Sequence, residues 1–185
     1  MSTLGLVLAA GNGSRYRGET HKLLAPFHGR PLVLAVLEAA LAAGFDAVAA
    51  VTGAVDLSAV APPGIVLLDN PNWSVGLARS LQVGLSWCAT EGFEAAVIGL
   101  GDAPRIPASA WRALRMSEAE VAVASFSGRL HPPVRLAASR FAEVPDTGDV
   151  GARALWQRGG AVVECEGDPF DVDTAEDLAV LEARQ

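Results

Sequence analysis

The 185-residue sequence predicts an α/β fold: a three-layer α/β/α sandwich around a Rossmann-like, mostly parallel sheet, carried by a single domain over residues 1–185. Short apolar runs recur along the chain, segments of helical character separate them, and residues with chemical potential gather just after the runs. Apolar runs without alternation are the mark of strands buried on both faces, and their alternation with helices implies crossover connections in a parallel sheet.

The elements follow in order. Leu4–Ala9 reads as the first strand, followed by a glycine-rich loop that ends at Lys22. Pro31–Ala43 reads as the first helix, opened by proline and followed by Gly44, which suits the preference of helices for proline at the start and glycine past the end. Ala47–Thr52 and Ile65–Leu68 are strands, Gly76–Thr90 a helix, Ala95–Leu100 a strand and Pro107–Met116 a helix. Val121–Phe126 is the next strand, after which the alternation becomes irregular, with an antiparallel strand at Pro133–Leu136. Val150–Arg158 and Thr174–Ala183 are helices on either side of a strand at Ala161–Val163. In such sheets ligands bind at the carboxyl ends of strands. That rule selects the loop to Lys22, the Gly101-Asp102-Ala103-Pro104 turn, and Asp171-Val172-Asp173 before the last helix.

Composition narrows the function. A formal net charge of -7 opposes a general nucleic-acid surface, which needs a broad basic field. The apolar runs are too short to span a bilayer, no basic-then-apolar leader with a small-residue cleavage site opens the chain, and a cytoplasmic location is expected. Cys88 and Cys165 form no metal or redox motif and read as reduced thiols.

Lys22 is the only lysine; every other fixed cation is arginine. It ends a loop with Gly11, Gly13, Ser14 and Arg15, so a compact ammonium, a guanidinium and glycine amides are available to one polyanion. A dinucleotide fingerprint is excluded because Tyr16 stands where a third small residue is required. A Walker loop is excluded because Glu19 and Thr20 would fill its Lys-Ser/Thr positions while Lys22 comes too late.

The segments Leu8-Ala9-Ala10-Gly11-Asn12-Gly13-Ser14-Arg15, Lys22-Leu23-Leu24 and Gly29-Arg30-Pro31-Leu32 resemble the signature of MobA-like nucleotidyltransferases. Further segments extend the resemblance: Gly76 to Leu85 with Ser80, Gly101-Asp102-Ala103-Pro104, His131-Pro132-Pro133-Val134, Gly148-Asp149-Val150-Gly151-Ala152-Arg153, and Asp171 to Asp177. Alanine at position 10 is similar to the cytidylyltransferases acting on molybdopterin, where guanylyltransferases usually carry glycine. The resemblance implies a sheet of the nucleotide-diphospho-sugar transferase (GT-A-like) type. It also implies a nucleotide site of Leu8, Ala9, Ala10, Gly11, Gly13, Ser14, Arg15, Lys22, Gly76 and Ser80, with Arg15, Lys22 and Asp102 catalytic and Asp102 and Asp173 holding metal.

Magnesium suits two carboxylates because it keeps several waters and completes its shell with substrate phosphates. The expected partners are a nucleoside triphosphate, CTP favoured over GTP, a phosphorylated acceptor such as molybdopterin, and a molybdoenzyme or its chaperone. Two other readings stand beside this one: guanylyl transfer to molybdopterin or a small phospho-acid, and a regulatory protein that binds nucleotide without transfer. Asp171 is expected beside the metal site or solvated, Thr174 as the cap of the last helix with Glu176 and Asp177 suiting the helix dipole in its first turn, and His21, His28 and His131 at the surface or behind the site.

Overall fold

The computed structural model describes residues 1–148 and 152–183. Among the described residues nine strands and five α-helices run in the order β1 (Thr3–Leu8), β2 (Pro26–Phe27), β3 (Arg30–Pro31), α1 (Leu32–Ala42), β4 (Ala47–Thr52), β5 (Ile65–Asp69), α2 (Leu77–Thr90), β6 (Ala95–Leu100), α3 (Ala108–Met116), β7 (Val121–Phe126), β8 (Arg129–Ala137), α4 (Arg153–Trp156), β9 (Ala161–Glu164) and α5 (Ala175–Ala183). The main sheet has seven strands in the order β5-β4-β1-β6-β8-β7-β9. Only β8 runs antiparallel to its neighbours β6 and β7; the other pairings in that sheet are parallel.

The layers follow from side-chain alternation along the central strand. Leu4, Leu6 and Leu8 of β1 join one core cluster with Leu81 and Leu85 of α2 and Leu155 of α4. Val7 and Ala9 turn to the opposite cluster, with Val33 and Leu37 of α1, Trp111 and Leu114 of α3, and Leu178 and Leu181 of α5. Two glycines let helices close onto the sheet: a methyl on Gly84 would sit 2.4 Å from Leu6 Cδ2, and one on Gly99 2.4 Å from the Trp111 ring.

β1 lies between β4 and β6, and the chain reaches these on opposite sides, first outward through α1 and later back across through α2. The strand order therefore reverses beside β1, where a crevice opens at the carboxyl ends of such strands.

Several expectations change. β1, β4, β6 and β7 are buried throughout or nearly so, but β5 and β9 are edge strands, with Val66 38% and Val162 54% exposed, because each has a neighbour on one side alone. The antiparallel strand is nine residues long and begins at Arg129 rather than Pro133. Its turn is the pair Ser127-Gly128, both left-handed at φ 52° and 83°, the geometry of a tight hairpin whose twist matches its strands. The pairing of β7 with β8 slips between Val123 and Ala124, opposite Pro132 and Pro133, which cannot donate to a ladder. The helix expected at Val150–Arg158 is a single turn, Arg153–Trp156, and Asp149, Val150 and Gly151 lie outside the described residues. Pro31 caps α1 from the preceding position rather than opening it.

Gly99→Ala would force a methyl into the Trp111 ring near the carboxyl end of β6. Overpacking of this kind costs about 1–3 kcal/mol, so the thermal midpoint should fall by several degrees in calorimetry. An unchanged midpoint would show that Trp111 yields freely.

Candidate functional site

The loop after β1 is shaped by its own side chains. Asn12 Oδ1 accepts the Ser14 amide at 3.1 Å, and the Tyr16 amide donates to the Gly13 carbonyl at 2.8 Å. Gly13 is left-handed at φ 60°, and a Cβ there would stand 2.9 Å from Lys22 Cγ, so the lysine stem crosses the loop at backbone distance. At Gly11 a Cβ would meet nothing within 4 Å, leaving the backbone open to a ligand.

His21 ties the two ends of this loop together. Its Nδ1 accepts the Leu23 amide at 3.2 Å, which leaves Nε2–H to donate to the Gly11 carbonyl at 3.1 Å. Burial pulls its pKa below the ordinary imidazole value against the Gly11 contact, and the Lys22 charge adds to the fall. The ring is a half-buried latch, so of the two places expected for it, at the surface or behind the site, it takes the second.

Lys22 turns inward and is 8% exposed. Its Nζ donates to Asp102 Oδ2 at 2.5 Å and to the Val172 carbonyl at 3.1 Å, and stands 3.6 Å from Asp173 Oδ1. Arg15 Nη1 meets the other oxygen of Asp173, Oδ2, at 3.0 Å from a side chain that is 73% exposed. One buried ammonium thus sits between two carboxylates, and an exposed guanidinium pairs with one of them from the solvent side.

Asp102 follows β6, and the path there is tight. The Gly101 amide donates to the Leu8 carbonyl at 2.9 Å, and a methyl on Gly101 would lie 3.1 Å from Ala9 Cβ. The Asp102 carbonyl in turn accepts the Val172 amide at 2.9 Å, which fastens the segment bearing Asp173 beside it. Burial raises the Asp102 pKa above the usual carboxylate range, Lys22 opposes the rise, and Asp171 adds to it. Asp173 is held by the first turn of α5: Asp177 Oδ2 accepts the amides of Asp173 and Thr174 at 3.1 and 2.8 Å, and Thr174 Oγ1 accepts the Asp177 amide at 3.1 Å. This is a capping box with aspartate as its acid, so Thr174 and Asp177 serve the helix end.

A cleft of about 590 Å³ opens over the carboxyl ends of β1 and β6. Leu8, Ala9, Ala10, Gly11, Gly13, Ser14, Arg15, Lys22, Gly76, Ser80, Asp102 and Asp173 all line it. Ser80 is nearly buried, and its Oγ accepts from Asn70 Nδ2 at 3.0 Å. Asn70, fully buried, also accepts the Asn72 amide through Oδ1 and so braces the turn that leads to Gly76; only a lone polar residue after an apolar strand hinted at it.

A second cavity of about 360 Å³ adjoins the cleft, with a floor that includes Leu81, Ile98 and Val134 and with Arg129, His131 and Arg153 around it. Asp171 lines both spaces. Its two oxygens each lie 3.0 Å from His131 Nε2, while His131 Nδ1 lies 2.8 Å from the Pro132 carbonyl. Both ring nitrogens face acceptors, which favours the doubly protonated ring. Burial pulls the His131 pKa down, but the hydrogen bond and charge of Asp171 outweigh it and the net direction is upward. His131 is therefore neither exposed nor detached from the site. The bulge at Pro132-Pro133 and the end of the β6–β8 pairing at Val134 release it toward the cavity.

The MobA-like NTP transferase domain family matches residues 5–162. The chain belongs to this family. Among solved structures, this MobA-like chain is similar to Rv0371c from Mycobacterium tuberculosis H37Rv at 26% identity over 100% of both chains, with a TM-score of 0.84. It is 30% identical to the homologue from Mycobacterium sp. strain JC1 over 98% of this chain and 95% of that one, TM-score 0.81. A nucleotidyl transferase from Methanothermobacter thermautotroptrophicus shares the fold at 21% identity over 98% and 96%, TM-score 0.81. No curated protein matches the sequence. No helix among the described residues is long and apolar enough to cross a membrane.

The His131–Asp171 pair can be tested by NMR. The His131 ring should titrate above the ordinary imidazole value in the native protein and below it in Asp171→Asn, where burial acts without the opposing carboxylate. The same midpoint in both would rule out Asp171 as the cause.

Proposed function

We propose that this chain is a nucleotidyltransferase that moves a nucleoside monophosphate from a nucleoside triphosphate, CTP, to the terminal phosphate of molybdopterin, releasing pyrophosphate. The observation that carries the reading is the meeting of Lys22 and Arg15 with Asp102 and Asp173 at the strand ends around β1. Family membership supports the reaction class. Ala10 at the cleft wall supports the cytidine base through the resemblance noted in the sequence.

The donor set fits a hard divalent ion such as magnesium. Asp102 Oδ2 and Asp173 Oδ1 converge on one point, and the Lys22 ammonium standing there is a stand-in for a small cation. Among the described residues no group of three His, Cys, Asp or Glu side chains forms a ready-made cage. Two carboxylates leave coordination positions for water and phosphate oxygens, the pattern preferred by magnesium. Rv0371c has been solved as a manganese complex, in a structure 24% identical to this chain. A divalent ion held by Asp102 and Asp173 would supply positive charge to the phosphate oxygens.

The chain's own groups align the reaction. Lys22 and Arg15 bind the triphosphate oxygens, and the backbone at Gly11 and Gly13 admits the phosphates to close approach. The base and ribose lie toward Gly76 and Ser80, near the start of α2. An oxygen of the acceptor phosphate attacks the α-phosphorus as the bond from that phosphorus to the β-bridging oxygen breaks, and pyrophosphate leaves with that electron pair. The nucleophile is already an anion, so no strong general base is required; catalysis rests on alignment and charge neutralisation. The second cavity, with Arg129 and Arg153 at its margin, faces the acceptor.

Incubation with magnesium, molybdopterin and each triphosphate separately, followed by mass analysis, should yield the cytidine dinucleotide. A guanosine product would replace the base assignment, and triphosphate binding without any product would favour a regulatory protein.

Asp102→Asn should lower magnesium-dependent turnover by at least roughly a hundredfold, the scale of losing charge stabilisation at a reacting centre. Lys22→Ala should weaken nucleotide binding and turnover with the fold intact. Normal pyrophosphate release by either variant would remove that residue from the mechanism.

A further inference from the structure

We propose that Lys22 is the resting occupant of the divalent-cation position, so that metal entry and the transfer of Lys22 to nucleotide phosphate are one coupled exchange of partners. This rests on the reading of Asp102 and Asp173 as metal ligands.

The geometry points to mutual exclusion. Nζ reaches both Asp102 Oδ2 and Asp173 Oδ1, the two oxygens that would face a shared metal ion. An ammonium and a divalent ion cannot occupy that space together, because like charges at contact distance in a half-buried site repel strongly. Lys22 is also fixed there by the Val172 carbonyl, whose position follows from the bond between the Val172 amide and the Asp102 carbonyl. A metal must therefore displace a cation that already has two hydrogen-bond acceptors and a second carboxylate 3.6 Å away.

The displaced ammonium has somewhere to go. Its stem runs over Gly13 at backbone distance, and rotation about its terminal bonds would carry Nζ from the carboxylates toward the face of the glycine loop. That face is where the phosphates are proposed to lie. Arg15, on the outer oxygen of Asp173 and mostly exposed, is set for the same exchange. At rest two carboxylates face two cations, and with metal and nucleotide present each charge again finds an opposite one. Metal alone gains the carboxylates but strands the lysine. Metal and nucleotide should consequently bind with positive coupling.

Calorimetric titration with Mn²⁺ alone tests this on the whole chain. Lys22→Met keeps the stem and removes the charge, and should bind Mn²⁺ roughly tenfold more tightly than the native protein, a coupling of ordinary size between linked sites. Lys22→Arg, which keeps a cation, should not show the gain. Equal or weaker Mn²⁺ binding by Lys22→Met overturns the exchange while leaving the metal site itself standing. No Mn²⁺ binding by any form, with or without CTP, overturns both.

The native protein supplies a readout that needs no variant. As the only lysine, Lys22 gives one side-chain ammonium resonance in ¹⁵N-labelled protein. Saturating Mg²⁺ should shift it, and added CTP should shift it again. A resonance that stays fixed while Mg²⁺ saturates the site would sink the proposal.

Discussion

The site depends on an ammonium shared between acids delivered by two distant parts of the chain. Asp102 comes from the end of β6 and Asp173 from the segment before α5, while Lys22 arrives from the loop after β1. Each group alone would be poorly solvated where it sits, and burying an unpaired charge is strongly unfavourable. Their pairing allows the strand ends to close over a charged centre. The sheet makes this possible by setting β1 and β6 side by side in parallel register, Leu8 opposite Leu100, so that both strands end on the same side of the sheet.

Close approach is the second requirement, and glycine supplies it where the backbone paths are narrowest. Gly101 lets the β6 end lie against Leu8 and Ala9, and Gly13 lets the Lys22 stem pass. Behind them, fixed hydrogen bonds remove slack. His21 holds the loop, Asn70 holds the turn before α2, and the Thr174–Asp177 box holds the backbone at Asp173. Residues that touch no ligand thereby set where the ligand-facing groups stand.

Much of this was legible in the sequence because its signals are local. Uninterrupted apolar runs marked β1, β4, β6 and β7, and the rule that ligands gather at strand ends brought Lys22, Asp102 and Asp173 together before any coordinates. The missed features depend on tertiary context. Edge or centre position decides the exposure of β5 and β9, and no short apolar run declares which it will be. The Ser127-Gly128 pair did carry a hairpin signal, but Pro132 and Pro133 disguised the strand after it, because proline argues against a central strand unless a bulge accommodates it. His131 and Asp171 lie 40 residues apart, so their pairing has no trace in local pattern. His21 could have been recognised through the capping role of a polar residue ahead of a turn, though its reach back to Gly11 could not.

The raised pKa of Asp102 has a thermodynamic corollary for the whole molecule. A carboxyl group that holds its proton more firmly when folded than when unfolded contributes its stability in full below the unfolded value, and that contribution disappears as pH climbs through the folded value. Once ionised, the group is thus a burden on the native state, which its lysine neighbour lightens. The very carboxylate on which the proposed chemistry relies is one that pressure for thermal endurance alone would tend to discard.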